Sequence, residues 1–305
     1  MDKASPSRPL KSSLYILLAR PVITILLLLR GWIERVLWPM NYRLRLAEWY
    51  RPRPDDTFIV SFPKSGTTLM QMILHQLTTE GEMDFVHIEQ VSPWFEIEIG
   101  RGNAREILER PSPRIFKSHA KRSMLPRTGR FIYIVRDPGD VALSSYHHHC
   151  LVTGRQHDLS RYVDLFLADR TRFGSWFDHF ESWWPHRNSP DVLFLTFEEL
   201  TRNLEATIRR VAAFCGLEID EAQMPRILER CGIDFMKQHE EKFDPRLGQI
   251  TPYRGAFIRQ GRAGQGAKAL EPRQKEQLAL RLAAMSRKLG GPSEDYASIL
   301  RSRSA

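Results

Sequence analysis

Cysteine is scarce in this 305-residue chain, and Cys150, Cys215 and Cys231 are odd in number and lack close spacing. That argues against a disulfide framework or a cysteine metal cage and for a reducing compartment. No zinc-finger spacing, aromatic RNA-binding signature or basic zipper is present, so nucleic acid is set aside as a partner. No fixed repeat period or low-complexity tract appears. The histidines of Tyr146-His-His-His-Cys150 are not read as a metal site, because consecutive helical residues point in different directions. A long hydrophobic run is missing too. Leu14 to Leu29 is apolar but broken at Arg20-Pro21, short of the roughly 20 residues a spanning helix needs. Arg30-Gly-Trp-Ile33 follows it instead of the small residues of a signal-peptide cleavage site.

What is abundant is positive charge: the net charge is +9 and the pI near 9.6, so the partner is expected to be anionic. Trp32, Trp38 and Tyr42 interleave with Arg30, Arg35, Arg43 and Arg45, the pattern of an interfacial belt. Residues 1–54 are therefore read as a membrane-associating segment and linker, ending in Arg51-Pro-Arg-Pro-Asp-Asp56, and residues 55–305 as the catalytic domain. The arginines after the apolar run outnumber the basic residues before it, which predicts a domain held at the cytoplasmic face of an anionic membrane.

Within the domain, Thr57–Phe62, Arg114–Lys117, Arg130–Val135 and Asp191–Phe197 read as short buried strands. Helical stripes follow the first at Leu69, Met70, Ile73, Leu74 and Leu77, and the last at Leu200, Leu204, Ile208, Val211 and Cys215. A third helix is expected from Gly139. The alternation predicts an α/β fold, a single domain whose central, mostly parallel sheet carries helices on both faces. Ligands of such sheets bind beyond the C-terminal strand ends.

Three polar motifs fall there. Ser61-Phe-Pro-Lys-Ser-Gly-Thr-Thr68 joins a strand to a helix. It is not the nucleoside-triphosphate loop GxxxxGK[ST], but its N–H groups, Gly66, hydroxyls and Lys64 make a P-loop-like cradle for an anion. A plain strand–helix turn capped by Ser65 or Thr67 is the simpler alternative. Lys117-Ser-His119 ends a second strand and offers an imidazole for base work at neutral pH. Arg136-Asp-Pro-Gly-Asp-Val-Ala-Leu-Ser144 puts a guanidinium fork and a hydroxyl about a helix start, although Asp137 or Asp140 as cap with Arg136 as ion-pair partner fits the same letters. Phe257-Ile-Arg-Gln-Gly-Arg-Ala-Gly264 is a basic, glycine-rich loop.

These segments, in this order, resemble sulfotransferases of the cytosolic type, as do Gly174–Trp184 and Leu193–Glu199; the resemblance runs from about Thr57 to Pro272. It implies transfer of a sulfuryl group from 3′-phosphoadenylyl sulfate (PAPS) to an acceptor hydroxyl or amine, leaving PAP. It also implies roles. Lys64 would bind the bridging and sulfuryl oxygens, with Ser65, Gly66, Thr67 and Thr68 on the 5′-phosphate. Arg136, Ser144, Arg259 and Gly261 would hold the 3′-phosphate. His119 would take the acceptor proton and Lys117 steady the transferring group, with no metal. Phe197 and Phe235 stand at the adenine.

Leu69 and Phe197 depart from the family's usual tryptophan and tyrosine, and Gln260 from a lysine. Gln265-Gly-Ala267 lacks the family's dimer contact. A nucleotide kinase and a membrane-tethered anion-binding module are the rival readings. The acceptor, a small molecule or a lipid, is expected against the stretches 86–100, 147–160 and 237–251.

Overall fold

The structure is a computed structural model that describes residues 37, 40–79, 81–246, 253 and 255–290. The apolar run at 14–29 and Trp32 and Trp38 lie outside the described residues.

In chain order the elements are α1 (residues 40–49), β1 (Thr57–Ser61), α2 (Thr67–Thr78), α3 (Phe95–Arg101), α4 (Ala104–Leu108), β2 (Ile115–Ser118) and β3 (Arg130–Val135). There follow α5 (Pro138–Thr153), α6 (Leu159–Leu167), α7 (Trp176–Trp183), β4 (Val192–Thr196), α8 (Phe197–Arg202), α9 (Leu204–Cys215), α10 (Met224–Cys231), α11 (Ile233–Gln238), α12 (Gln265–Ala269) and α13 (Pro272–Lys288). All four expected strands form, each within about a residue of its expected end. The stripe expected after β4 is two helices, because Asn203 leaves the helical conformation and its side chain accepts the N–H of Ala206 to restart the chain.

The sheet is wholly parallel, in the order β2-β1-β3-β4. Its period-two alternation sorts side chains into two cores. Phe58, Val60, Phe116, Phe131, Tyr133, Val135 and Val192 enter an aromatic-rich core with α5, α6, α7 and α13. Ile59, Ile115, Ile132, Ile134 and Leu195 enter an aliphatic core with α2, α9 and α10. Helices thus cover both faces, as near-continuous apolar strands require. Trp176, Trp183 and Trp184 are buried, Trp176 stacking on Phe180 at 5.3 Å and Trp183 on Tyr133 at 5.2 Å.

Helix α1 packs on this body. Tyr42 and Tyr50 are buried in the aromatic core, and the Tyr42 hydroxyl donates to the Met124 carbonyl at 2.8 Å. Core packing therefore begins before residue 55. Arg45 donates to the Gly100 carbonyl, and Arg53 to those of Leu108 and Arg110. These two arginines tie the chain to its own domain. Beneath them, Arg114 and Asp56 form a fully buried pair at 2.6 Å, with the Tyr50 hydroxyl also donating to Asp56.

Connections leave β1 for β2 on one side, and the chain then returns to β3 on the other. The crevice beyond the C-terminal ends of β1 and β3 is the switch point where such sheets bind ligands.

Candidate functional site

A cavity of about 520 Å³ opens at that switch point. Each strand end contributes: Lys64, Gly66, Thr67 and Thr68 after β1, Lys117 and His119 at the end of β2, Arg136 after β3, and Phe197 after β4. Ser144 from α5 and Arg259 and Gly261 from the loop before α12 complete the lining.

The cradle after β1 is not a simple capped turn. Helix α2 begins at Gly66, with φ 106° and no side chain capping it, so its first N–H groups are left to a ligand. A Cβ at Gly66 would stand 3.0 Å from the Phe197 ring in a conformation that L-residues rarely adopt. Lys64 itself has φ 70°, a conformation that costs energy at a non-glycine residue and gathers at functional sites. The Thr67 hydroxyl meets that of Ser61 at 2.6 Å. Ser65 is fully buried and its hydroxyl has no partner.

Positive charge is concentrated here and thinly neutralised. Burial, then the neighbouring Lys117, Arg136 and Arg259, push the Lys64 ammonium down to about 7, and its Nζ lies 4.0 Å from the Phe257 ring centre. Arg136 donates to the carbonyls of Lys64 and Arg262 at 3.1 and 3.0 Å. It lies 4.1 Å over the Phe197 ring, its Nε unpartnered. The cap and ion-pair contacts of its motif both form. Asp137 caps α5 by accepting the Asp140 N–H, and Asp140 stands 3.7 Å from Arg136.

The Asp140 carboxylate has a further task that sequence reasoning missed. It accepts the N–H groups of Gly264 and Gly266 at 2.8 and 2.6 Å. The loop bearing Arg259 and Gly261 is thereby clamped to α5, where Gly266 approaches Gly139 so closely that a Cβ would lie 2.2 Å from its carbonyl carbon. An aspartate in the first turn of a helix reads as a cap, and no local signal names a partner 124 residues away.

His119 is half-buried in the cavity wall, and its Nδ1 lies 2.7 Å from the Ser61 carbonyl oxygen. A carbonyl only accepts, so Nδ1 carries the proton and Nε2 keeps its lone pair. Burial and the Lys117 ammonium hold the ring well below the usual histidine range, hence neutral. Glu96, also missed from sequence, anchors the end of β2: its Oε1 accepts the Ser118 hydroxyl at 2.8 Å and the His119 N–H at 2.7 Å. Lys117 donates to Glu89 at 2.7 Å and sits 4.5 Å over Trp94. Phe235 does not line the cavity; its ring packs on His239 at 4.4 Å, and Ile233 from the same helix lines the wall instead.

The cavity is also lined by Trp94, His147, His148, Leu151, Phe173 and Phe243. The three expected acceptor stretches all reach it. Neighbouring histidines of α5 diverge, His148 toward Phe257 and His149 toward His157.

Comparison with known proteins agrees with this geometry. The family model described as the sulfotransferase domain matches residues 54–288. Luciferin sulfotransferase of Photinus pyralis is 30% identical over 244 residues, 68% of this chain and 65% of that protein. The chain thus spans a little under two thirds of that relative's length. Sulfotransferase 1B1 of Mus musculus is 31% identical over 219 residues, 66% of this chain and 73% of the relative. A solved structure of retinol dehydratase, in complex with androsterone and the inactive cofactor PAP, superposes with a TM-score of 0.71. It covers 84% of this chain and 88% of its own, and at 21% identity the likeness concerns the fold alone.

Proposed function

The chain belongs to the sulfotransferase domain family, and from that premise we propose that it moves a sulfuryl group from PAPS to the hydroxyl or amine of a small-molecule acceptor, with His119 as general base. The observation that carries the reading is the meeting, in one cavity, of an anion cradle and a histidine whose only basic nitrogen is Nε2.

The residues present fit a doubly phosphorylated nucleotide. Among the described residues the buried Ser65 hydroxyl and Arg136 Nε have no hydrogen-bond partner, and unmet buried polar groups at a functional site call for a ligand. Lys64, Ser65, Gly66, Thr67 and Thr68 would hold the 5′-phosphate side. Arg136, Ser144, Arg259 and Gly261 would hold the 3′-phosphate, and Phe197 would meet the base. When bound, the nucleotide supplies the sulfuryl group; the protein supplies position and charge. Nε2 of His119 takes the proton from the acceptor. Lys64, nearly free of counter-charge, becomes fully cationic beside an anion and steadies charge on the departing side. Lys117 shares its charge between Glu89 and the cavity.

Membrane attachment through the N-terminal segment, on the cytoplasmic face, belongs to the same proposal. Leu37, Met40 and Leu44, three and four residues apart, are exposed, which supports an outward apolar edge on α1. Among the described residues no helix is long and apolar enough to cross a membrane. Flotation of the full chain with anionic vesicles, and its absence with neutral ones, tests this part.

Calorimetry tests the nucleotide assignment. PAP should bind one to one and displace ATP, whereas a kinase would prefer ATP with magnesium. Tighter magnesium-dependent binding of ATP than of PAP would contradict the proposal.

A further inference from the structure

One polar group on the cavity wall is used neither by the nucleotide cradle nor by His119. His148 lies on α5 one turn beyond Ser144 and lines the cavity. Its Nδ1 is sealed from solvent with no hydrogen-bond partner among the described residues, and its ring meets that of Phe257 at 6.0 Å. An orphaned buried N–H is rarer in proteins than an under-satisfied acceptor, so the proton belongs on the other nitrogen, Nε2. Burial, with Lys64, Lys117 and Arg172 nearby, pushes this imidazole to about 3 and keeps it neutral. The wall of the cavity therefore carries an N–H donor at His148 and a lone pair at His119, both at Nε2. Two further histidines line the cavity: the His147 ring packs on Tyr146 at 5.0 Å, and His87 Nδ1 accepts the Glu89 N–H at 3.3 Å while its Nε2 is sealed from solvent.

We infer that His148 determines acceptor specificity, its Nε2–H receiving a second oxygen of an acceptor whose reacting hydroxyl meets His119. This rests on the sulfuryl-transfer reading and names the substrate class within it. Trp94, Leu151 and Phe173 line the same cavity, the rings of Trp94 and Phe173 lying 5.0 and 6.2 Å from that of His119, which suits a flat, apolar ring system. The acceptors are thus aromatic or polycyclic alcohols with an ether, carbonyl or hydroxyl oxygen away from the reacting one. A hydrocarbon alcohol of the same shape leaves the donor unmet, and one unmade hydrogen bond costs about threefold to tenfold in affinity.

The test uses the full chain with PAPS and three probes: 2-naphthol, 6-methoxy-2-naphthol and 7-methoxy-2-naphthol. At least one methoxy compound should exceed 2-naphthol in kcat/KM by about threefold to tenfold. His148→Phe should bring that ratio to near one, and His148→Gln, which keeps an N–H donor, should restore part of it. Three results overturn the inference while PAP binding and transfer to another hydroxyl acceptor leave the underlying reading intact. They are a wild-type ratio near one for both methoxy probes, no turnover of any of the three, and a ratio unchanged in both variants. A chain that binds no PAP overturns the reading beneath it, and the inference with it.

Discussion

Nδ1 of His119 and the carbonyl oxygen of Ser61 stand 2.7 Å apart, so the end of β1 dictates the tautomer of a histidine at the end of β2. The parallel register Thr57↔Ile115 through Val60↔Ser118 brings the next residues along, Ser61 and His119, side by side. The proton on Nδ1 is committed to that carbonyl, and Nε2 is left with the lone pair. Glu96 holds the same turn from the other side through the Ser118 hydroxyl and the His119 N–H. The orientation of this histidine is therefore set by sheet geometry.

Arg136→Ala should weaken PAP binding by about tenfold to a hundredfold, the worth of a charge-assisted hydrogen bond. Adenosine 5′-phosphosulfate, which lacks the 3′-phosphate, should lose far less. Calorimetric titration of both nucleotides decides it, and equal losses would remove Arg136 from the 3′-phosphate.

Lys64 should make nucleotide binding take up a proton. Its ammonium is lowered to about 7, first by burial and then by Lys117, Arg136 and Arg259, so the free site is partly deprotonated just above neutrality. An anion beside it favours the charged form, and affinity for PAP should fall as pH rises through 7. In the unfolded chain a lysine stays protonated to about 10.4. Between these values the unfolded state binds more protons, so the free protein gains stability from this group as pH rises. Titrations at about pH 7.5 in buffers of different ionisation enthalpy measure the uptake. It should vanish in Lys64→Met, and its persistence there would assign it elsewhere.

Gly266→Ala should destabilise the protein by about 1–3 kcal/mol and weaken PAP binding. The new Cβ would fall 2.2 Å from the Gly139 backbone, and the N–H that Asp140 accepts would have to move. Thermal unfolding with and without PAP checks both effects. A variant with unchanged Tm and affinity would mean that the loop bearing Arg259 is not set by this contact.

Arg114→Met should cost about 3–5 kcal/mol, since it strips the partner from a wholly buried Asp56. Urea denaturation measures it. A loss under 1 kcal/mol would show that Tyr50 and the Arg53 N–H suffice to hold that carboxylate.

Much of this was legible in the sequence, for physical reasons. Buried parallel strands are continuous apolar runs, so Arg130–Val135 reads off directly, and the polar residues just after each run fall on the crevice. Lys64, His119 and Arg136 follow such runs and line the cavity, which Ser144 reaches from within α5. What stayed hidden depends on distant pairing. Asp140 looks like a cap until Gly264 and Gly266 arrive from the far end of the domain. Glu96 is an ordinary acid on a short helix until β2 ends beside it. Tyr42 reads as an interfacial residue until α1 buries it, and on α11 it is Ile233 that lines the cavity while Phe235 packs on His239. The partnerless state of His148 is a property of everything around it and not of its own letter.

The most direct test is transfer itself. Purified full chain is incubated with PAPS labelled in its sulfuryl group and a panel of phenols, alcohols and amines, and labelled product and PAP are quantified together. The account predicts one labelled conjugate for each PAP formed. It also predicts a fall of about a hundredfold to ten-thousandfold in His119→Ala with PAP affinity nearly unchanged. No labelled conjugate from a chain that binds PAP, or near-normal turnover in His119→Ala, would contradict it.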